Sequence, residues 1–222
     1  GGGFGSKLDL SYQPYIALAA WKLNRPVGIV YSRNESMGTT TKRHPSEISI
    51  KVGCDEHCKI TAIDFYGIFN TGAYASWGPT VANRVPVHAS GPYQVANYLA
   101  KSRAVHTNNV PAGAFRGFGV PQTAIALETS LSELAQKAGV DELNFRLINA
   151  LKNGTPTVTG QVFNSGVGIT KCLEAVRPAW ERAKKHGSEH NKALGKSVHK
   201  KGVGIATCWY GCGNTSIANP ST

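Results

Sequence analysis

Two short segments of the chain carry residue types that can do chemistry. One is Gly1-Gly2-Gly3-Phe4-Gly5-Ser6-Lys7; the other is Ala114-Phe115-Arg116-Gly117-Phe118-Gly119-Val120-Pro121-Gln122. Glycine lacks a Cβ, so a ligand can approach its main-chain N–H groups closely. Phenylalanine offers a flat apolar face, and arginine a planar fork suited to anionic oxygens. Together they describe walls for a flat, anionic, ring-containing ligand. Taken alone, the first segment reads as an ordinary glycine turn. Ser6 stands where a Walker loop needs its second glycine and a dinucleotide fingerprint its last.

The elements that must position these loops can be read from periodicity. Residues 12–24 carry Tyr15, Ile16, Leu18, Ala19, Trp21 and Leu23, which predicts a mostly buried helix entered through Ser11. Residues 27–31 read as a buried strand. Residues 47–52 alternate, with Ile48, Ile50 and Val52 on one face. Residues 59–70 form a longer strand with Ile60, Ala62, Phe65 and Ile68 inward. The Gly-, Pro- and Ser-rich stretch 71–92 reads as a long loop, and 98–107 as a strand that feeds the second segment. Pro121 opens a helix to about residue 138, with Ile125, Leu127, Leu131 and Leu134 buried. Asp141 caps a short helix to 150. Residues 169–186 form a third helix, a basic linker follows over 187–201, and 202–210 begin a new strand. Mixed strands and separate helices make the class α+β. The expected organisation is 1–153 with both loops, 154–201 with helix and linker, and 202–222 as the start of a second subdomain.

Composition narrows the function classes. The 222 residues are 41% hydrophobic, enough to bury a core. No apolar run reaches bilayer length and no signal-peptide pattern opens the chain, so a cytoplasmic protein without membrane contact is expected. The first residue lies inside a motif, so the chain reads as a piece of a larger polypeptide. Five cysteines, with three-residue gaps in Cys54…Cys58 and Cys208…Cys212, fit neither zinc nor iron–sulfur ligand spacing and read as reduced thiols. The net charge of +11 invites a nucleic-acid reading. Much of it gathers at Arg182, Lys184, Lys185, Lys192, Lys196, Lys200 and Lys201, without the interleaved aromatics of a stacking platform, so nucleic acid is not an expected partner.

The two loops together resemble the molybdenum-binding subunit of the xanthine dehydrogenase and aldehyde oxidase family, the second loop very specifically. Leu8-Asp9-Leu10-Ser11, Lys42-Arg43-His44-Pro45, Thr71-Gly72-Ala73-Tyr74-Ala75-Ser76, Thr107-Asn108-Asn109 and Thr159-Gly160-Gln161-Val162 extend the likeness in order. Within the family, nicotinate dehydrogenases look most similar, followed by bacterial xanthine dehydrogenases. The resemblance implies a molybdopterin cofactor, in its cytosine dinucleotide form and with selenium as a variant ligand. Iron–sulfur and flavin carriers are implied on partner chains or domains. It implies hydroxylation of an aromatic N-heterocycle such as xanthine, hypoxanthine or nicotinate, with water-derived oxygen.

By the same resemblance, Gly3, Phe4, Gly5 and Arg116 contact the cofactor. Phe4 and Arg116 lie near molybdenum without ligating it. Phe118 and Phe115 meet the substrate ring, and Arg84, nine residues before Tyr93, orients its polar edge. Leu8 replaces the glutamate that animal xanthine oxidases place there, which shifts recognition away from the animal pattern. Read from residues alone, Arg116 is also compatible with a surface arginine and Phe115 with plain core. Gln122 supports the loop or caps the following helix, and His44, His88 and His106 read as structural or surface residues. The family's general base lies outside these residues, and Glu35, Glu47 and Glu128 do not replace it. No catalytic residue is expected here, and the chain alone is expected to be inactive. An aldehyde oxidoreductase and a cofactor-free scaffold are the alternatives.

Overall fold

The computed structural model describes residues 2–5, 7–195 and 198–211. Its centre is a three-stranded sheet of β1 (Ser46–Cys54), β2 (Ile60–Gly72) and β3 (Asn97–His106), in that order. β1 and β2 pair antiparallel as a hairpin, while β2 and β3 pair parallel. A parallel pair needs a crossover, and α3 (Gly78–His88) supplies it. α4 (Val120–Lys137) packs on β1, and α5 (Glu142–Asn149) packs between α4 and α6 (Ile169–Ala193). Phe65, Phe69, Val85, Tyr93, Leu127, Leu131 and Phe145 form the centre of the core. The α+β class holds. No described helix is long and apolar enough to cross a membrane.

The helix in 71–92 corrects the loop reading. Pro79 sits in its first turn, where a missing N–H costs nothing. Pro86 lies inside it and leaves the Ala82 carbonyl without a helical donor. The Ser102 hydroxyl on β3 donates to that carbonyl at 2.7 Å, and Tyr98 Oη donates to the Pro86 carbonyl. Tertiary hydrogen bonds thus sustain a helix that local propensity argues against.

Other expectations also change. On β2 the inward residues are Ile60, Ile63, Phe65 and Phe69, whereas Ala62 is exposed and Ile68 half-buried. Gly53 pairs with Ala62 and Cys54 with Ile60, so Thr61 is a bulged extra residue that resets the alternation. On α4, Ile125 is exposed; the buried row is Thr123, Leu127, Leu131 and Ala135, one turn apart.

α1 (Gln13–Leu23) starts after Tyr12 rather than through a Ser11 cap and buries no residue, with Trp21 74% exposed. Residues 27–31 join no strand, and Val30 is exposed. Tyr31 meets Tyr12 edge-on at 5.9 Å, while Ile29 and Val30 stay outside the core. α2 (Arg33–Thr39) was not anticipated; Ser32 and Glu35 close a reciprocal capping box at its start.

α6 continues through Gly187 to Ala193 instead of ending at 186. Asn191 holds Lys201 through both its amide groups, at 2.9 and 2.8 Å, and this pairing with the returning chain overrides the glycine. Residues 202–210 join no strand. They run past α6 and α4 to the end of α3, lining an apolar groove of about 530 Å³ with Leu173, Val176 and Trp180. Gly1, Ser6, Lys196, Ser197 and 212–222, with Cys212, lie outside the described residues.

Candidate functional site

The two glycine loops, more than a hundred residues apart in sequence, meet in space. A Cβ on Gly5 would overlap the Ala114 carbonyl and come within 2.7 Å of the Phe115 Cα. Gly5 also has φ +100, a conformation that side chains disfavour. Asp9 braces the junction: its Oδ2 accepts from Thr41 Oγ1 at 2.5 Å and Ser76 Oγ at 2.6 Å.

The second loop is wound by three consecutive left-handed residues, Gly117, Phe118 and Gly119, with φ 96, 46 and 94. Phe118 N–H donates to the Phe115 carbonyl at 2.7 Å, and Val120 N–H to that of Gly117 at 2.9 Å. Gly119 is the residue from which α4 starts, so the positive end of an 18-residue helix adjoins the loop.

The predicted residues fall into two groups. On the first-loop side, Phe4 is exposed and the Arg116 guanidinium lies 5.6 Å from its ring. Leu8 lies beside Gly3, half-exposed, and its N–H donates to the Gly5 carbonyl at 3.3 Å. Phe115 borders a cavity of about 550 Å³ that Gly5, Lys7, Tyr12, Arg33 and Lys42 also line. Within that cavity the Lys42 ammonium already donates to the carbonyls of Ser36 and Thr40 and to the Thr40 hydroxyl. Burial, and then the neighbouring Arg33 charge, pull its pKa below the ordinary value. On the other side, Phe118 stands edge-on to Trp77 at 6.4 Å, with the Arg84 guanidinium 5.9 Å from its ring. Arg84 is buried on α3, with Tyr210 stacked at 4.5 Å and the Gly211 carbonyl accepting from Nη2. Phe115 and Phe118 therefore face different surroundings, although one short turn carries both.

Several contributors were not singled out from the sequence. Arg43 Nη2 donates to the Arg116 carbonyl at 2.6 Å, and its guanidinium lies 4.8 Å from the Phe115 ring. The Lys42-Arg43-His44-Pro45 resemblance was the only signal for it. Asp9 and Trp77 carried only a weak signal, as parts of or neighbours to similar stretches. Gln122 does support the loop base rather than cap α4: its Nε2 donates to the His44 carbonyl at 3.2 Å. His44 is buried beside Thr71, and burial pulls its pKa from the ordinary 6.5 down to about 4.

Three buried polar atoms around the second loop lack a partner among the described residues: Arg43 Nη1, His44 Nδ1 and Gln122 Oε1. Buried polar groups are normally paired, so a polar guest beside this loop suits the surroundings. The bare backbone of the two loops and the exposed Arg116 suit an anionic one. A molybdopterin cofactor, anionic and flat, fits that donor set. The described residues hold no cluster of three or more His, Cys, Asp or Glu able to bind a metal directly, and Cys54, Cys58, Cys172 and Cys208 are free thiols. Of the glutamates, Glu128 is bound to Arg146, Nε to Oε2 at 2.7 Å, deep in the core. Glu35 serves as a helix cap, and Glu47 is exposed on β1.

Comparison with known proteins agrees with this geometry. Residues 1–150 match the molybdopterin cofactor-binding domain family. The chain is 43% identical over 177 residues to the nicotinate dehydrogenase large molybdopterin subunit of Eubacterium barkeri, an alignment covering 80% of this chain and 42% of that protein. It is 33% identical over 212 residues to a xanthine dehydrogenase molybdenum-binding subunit of Escherichia coli, covering 95% of this chain and 28% of that one. Among solved structures, an aldehyde oxidoreductase from Desulfovibrio gigas superposes with a TM-score of 0.78 at 29% identity, covering 85% of this chain and 21% of that one. The chain thus spans less than half the length of these relatives. With both glycine loops inside the matched region, the chain belongs to the molybdopterin cofactor-binding domain family.

Proposed function

We propose that this chain forms part of the cofactor and substrate wall of a molybdenum hydroxylase that oxidises an aromatic N-heterocycle of the nicotinate, xanthine or hypoxanthine type. The observation that carries the reading is the contact of Gly5 with the Ala114–Phe115 backbone, which joins both loops into one cradle beside Arg116. In this reading Gly3, Phe4, Gly5 and Arg116 hold the cofactor through backbone N–H groups and one guanidinium. The cofactor, when bound, supplies the redox centre at which a ring carbon is oxidised with water-derived oxygen. Phe118 and Phe115 offer ring faces to the substrate, and Leu8 adds an apolar edge. Arg84, stacked near Phe118, attracts a carboxylate or carbonyl on the ring.

The general base and the remaining cofactor contacts belong to sequence beyond these residues. Electrons then pass to iron–sulfur and flavin subunits or domains. The similarity to a nicotinate dehydrogenase subunit supports a carboxylated heterocycle over a simple aldehyde.

The test uses the full-length enzyme. Elemental analysis reads molybdenum and selenium, and nucleotide release on acid hydrolysis reads the cytosine dinucleotide. Values of kcat/KM for nicotinate, xanthine, hypoxanthine and benzaldehyde are compared in wild type and Arg84→Ala. A loss on the order of 1–3 kcal/mol in transition-state stabilisation, confined to the polar-edged rings, is expected. Equal losses for all four remove Arg84 from substrate recognition, and benzaldehyde as the best wild-type substrate overturns the heterocycle reading.

A further inference from the structure

The backbone of Gly211 is gripped at both its N–H and its carbonyl by one helix. Its N–H donates to His88 Nε2 at 3.0 Å, and its carbonyl accepts from Arg84 Nη2. His88 and Arg84 sit one turn apart on α3, so both face the same way. A Cβ on Gly211 would lie 3.3 Å from His88 Nε2 and 3.6 Å from Arg84 Nη2, so the glycine lets its backbone sit between them. The neighbouring residues reinforce the clasp. Trp209 Nε1 donates to the His88 carbonyl at 3.2 Å, and the rings of Trp209 and Tyr210 lie 5.8 and 6.0 Å from the His88 ring. Tyr210 in turn stacks on the Arg84 guanidinium at 4.5 Å, while Phe118 lies 5.9 Å from the same group.

Hydrogen-bond chemistry fixes the state of the histidine. A backbone N–H can only donate, so Nε2 must be the acceptor. A carbonyl can only accept, so Nδ1 carries the proton and donates to the Arg84 carbonyl at 3.1 Å. A second proton on Nε2 would set N–H against N–H and release Gly211.

We infer that His88 is a positioning residue for Arg84, acting through the Gly211 backbone that both side chains hold. This rests on the reading of Arg84 as the substrate-orienting cation. His88 does not touch the substrate; it anchors the segment that carries Tyr210 and the Gly211 carbonyl, and these set where the guanidinium points. The arrangement makes polar-edge recognition depend on a neutral imidazole. Among the described residues, the charged and titratable groups facing His88 are Arg84 on its own helix and Tyr210 on the returning segment. Tyr93 and Glu128 meet that segment further back, at Thr207. Burial, and secondarily the Arg84 charge, lower the pKa of His88, while the hydrogen bond to the Arg84 carbonyl opposes them.

The experiment compares wild type, His88→Phe, His88→Gln and Arg84→Ala in the full-length molybdenum-loaded enzyme. KM and kcat are measured for nicotinate and benzaldehyde from pH 5.5 to 8, with hydrogen exchange of the peptide covering 203–211. His88→Phe keeps a ring but loses both hydrogen bonds. It should raise KM for nicotinate on the order of tenfold, the factor equivalent to one such bond. It should leave benzaldehyde nearly unchanged and speed exchange in 203–211. In His88→Gln the amide oxygen can accept from Gly211, so most of the loss should be recovered. The wild-type rise in nicotinate KM below the ordinary imidazole range should also vanish in that variant.

Unchanged nicotinate KM and unchanged exchange in His88→Phe overturn the inference. If that variant does not accumulate, a wild-type acid limb that persists in His88→Gln overturns it instead. Selective loss of nicotinate turnover in Arg84→Ala alongside a silent His88 leaves the substrate reading standing and removes only His88. Equal losses for both substrates in Arg84→Ala remove the substrate reading, and the functional role of His88 with it.

Discussion

Gly5 and Ala114 lie in backbone contact, so close that a Cβ on Gly5 would overlap the Ala114 carbonyl. The two loops therefore set each other's position, and the first cannot be altered without moving the second. Gly5→Ala combines that overlap with a left-handed φ, which alone costs about 1–3 kcal/mol for a residue with a side chain. The variant full-length protein should lose most of its molybdenum, read by elemental analysis, while its far-ultraviolet circular dichroism stays native. Wild-type molybdenum content in Gly5→Ala would separate the loop junction from cofactor retention.

Arg116 has its side chain in the open, with the Phe4 ring 5.6 Å from the guanidinium. Its removal should cost the fold little and the cofactor much. Arg116→Ala should lower cofactor affinity about 10- to 100-fold, the range for one charge-assisted contact. Arg116→Lys should recover only part, because an ammonium lacks the planar fork. Cofactor content after dialysis, read with turnover, checks both. Full content and full turnover in Arg116→Ala would exclude the assignment.

Glu128 is predicted to act on stability rather than on chemistry. Its carboxylate receives Arg146 Nε at 2.7 Å and the Tyr93 and Thr207 hydroxyls at 2.8 Å each, with Arg146 and Tyr93 buried and Thr207 half-buried. Burial, followed by the Glu128 charge, pushes the Tyr93 pKa well above its ordinary value, which keeps the phenol a donor. Glu128→Leu strands the Arg146 charge and should destabilise by about 3–5 kcal/mol. The double variant Glu128→Leu/Arg146→Met should lose less than the sum of its parts. Denaturant unfolding of all four proteins measures the coupling, and strict additivity would refute it.

His44 predicts an acid limb in stability. Its folded-state pKa of about 4 lies below the ordinary 6.5 because burial disfavours the charged ring. The folded state therefore binds the proton more weakly than the unfolded chain. The stabilisation is complete above pH 6.5 and is lost as pH falls toward 4, on the order of 3 kcal/mol in all. The stability difference between wild type and His44→Phe should shrink across that window, read from unfolding midpoints at about pH 7 and pH 4.5. A difference independent of pH would show that His44 titrates normally in the folded protein.

The sequence by itself determined which short segments carry chemistry and what elements frame them. Glycines at 3, 5, 117 and 119 with Phe4, Arg116 and Phe118 are local signals, because each residue type constrains its own backbone or offers its own functional group. The strands at 47–52 and 59–70, the strand before the second loop, α4 and the Asp141 cap were equally legible, since alternation, helical period and capping act within a few residues. What only the tertiary structure decided depends on partners distant in the chain. α3 forms through 71–92 because Ser102 and Tyr98 satisfy carbonyls around Pro86 that the sequence alone leaves stranded. The bulge at Thr61 shifts the inner face of β2 by one residue, and no period-2 reading can foresee an insertion defined by the opposite strand. The apolar pattern of α1 predicted burial because periodicity reports which face seeks a partner, not whether one is present. Residues 202–210 read as a strand, yet the hydrogen bonds of Thr207 and of the following Gly211 go to Glu128, Tyr93, His88 and Arg84 instead of a sheet edge. The meeting of Gly5 with Ala114, and of Gly211 with His88 and Arg84, belongs to this second kind, because both contacts join segments more than a hundred residues apart and exist only once the sheet and helices between them have packed.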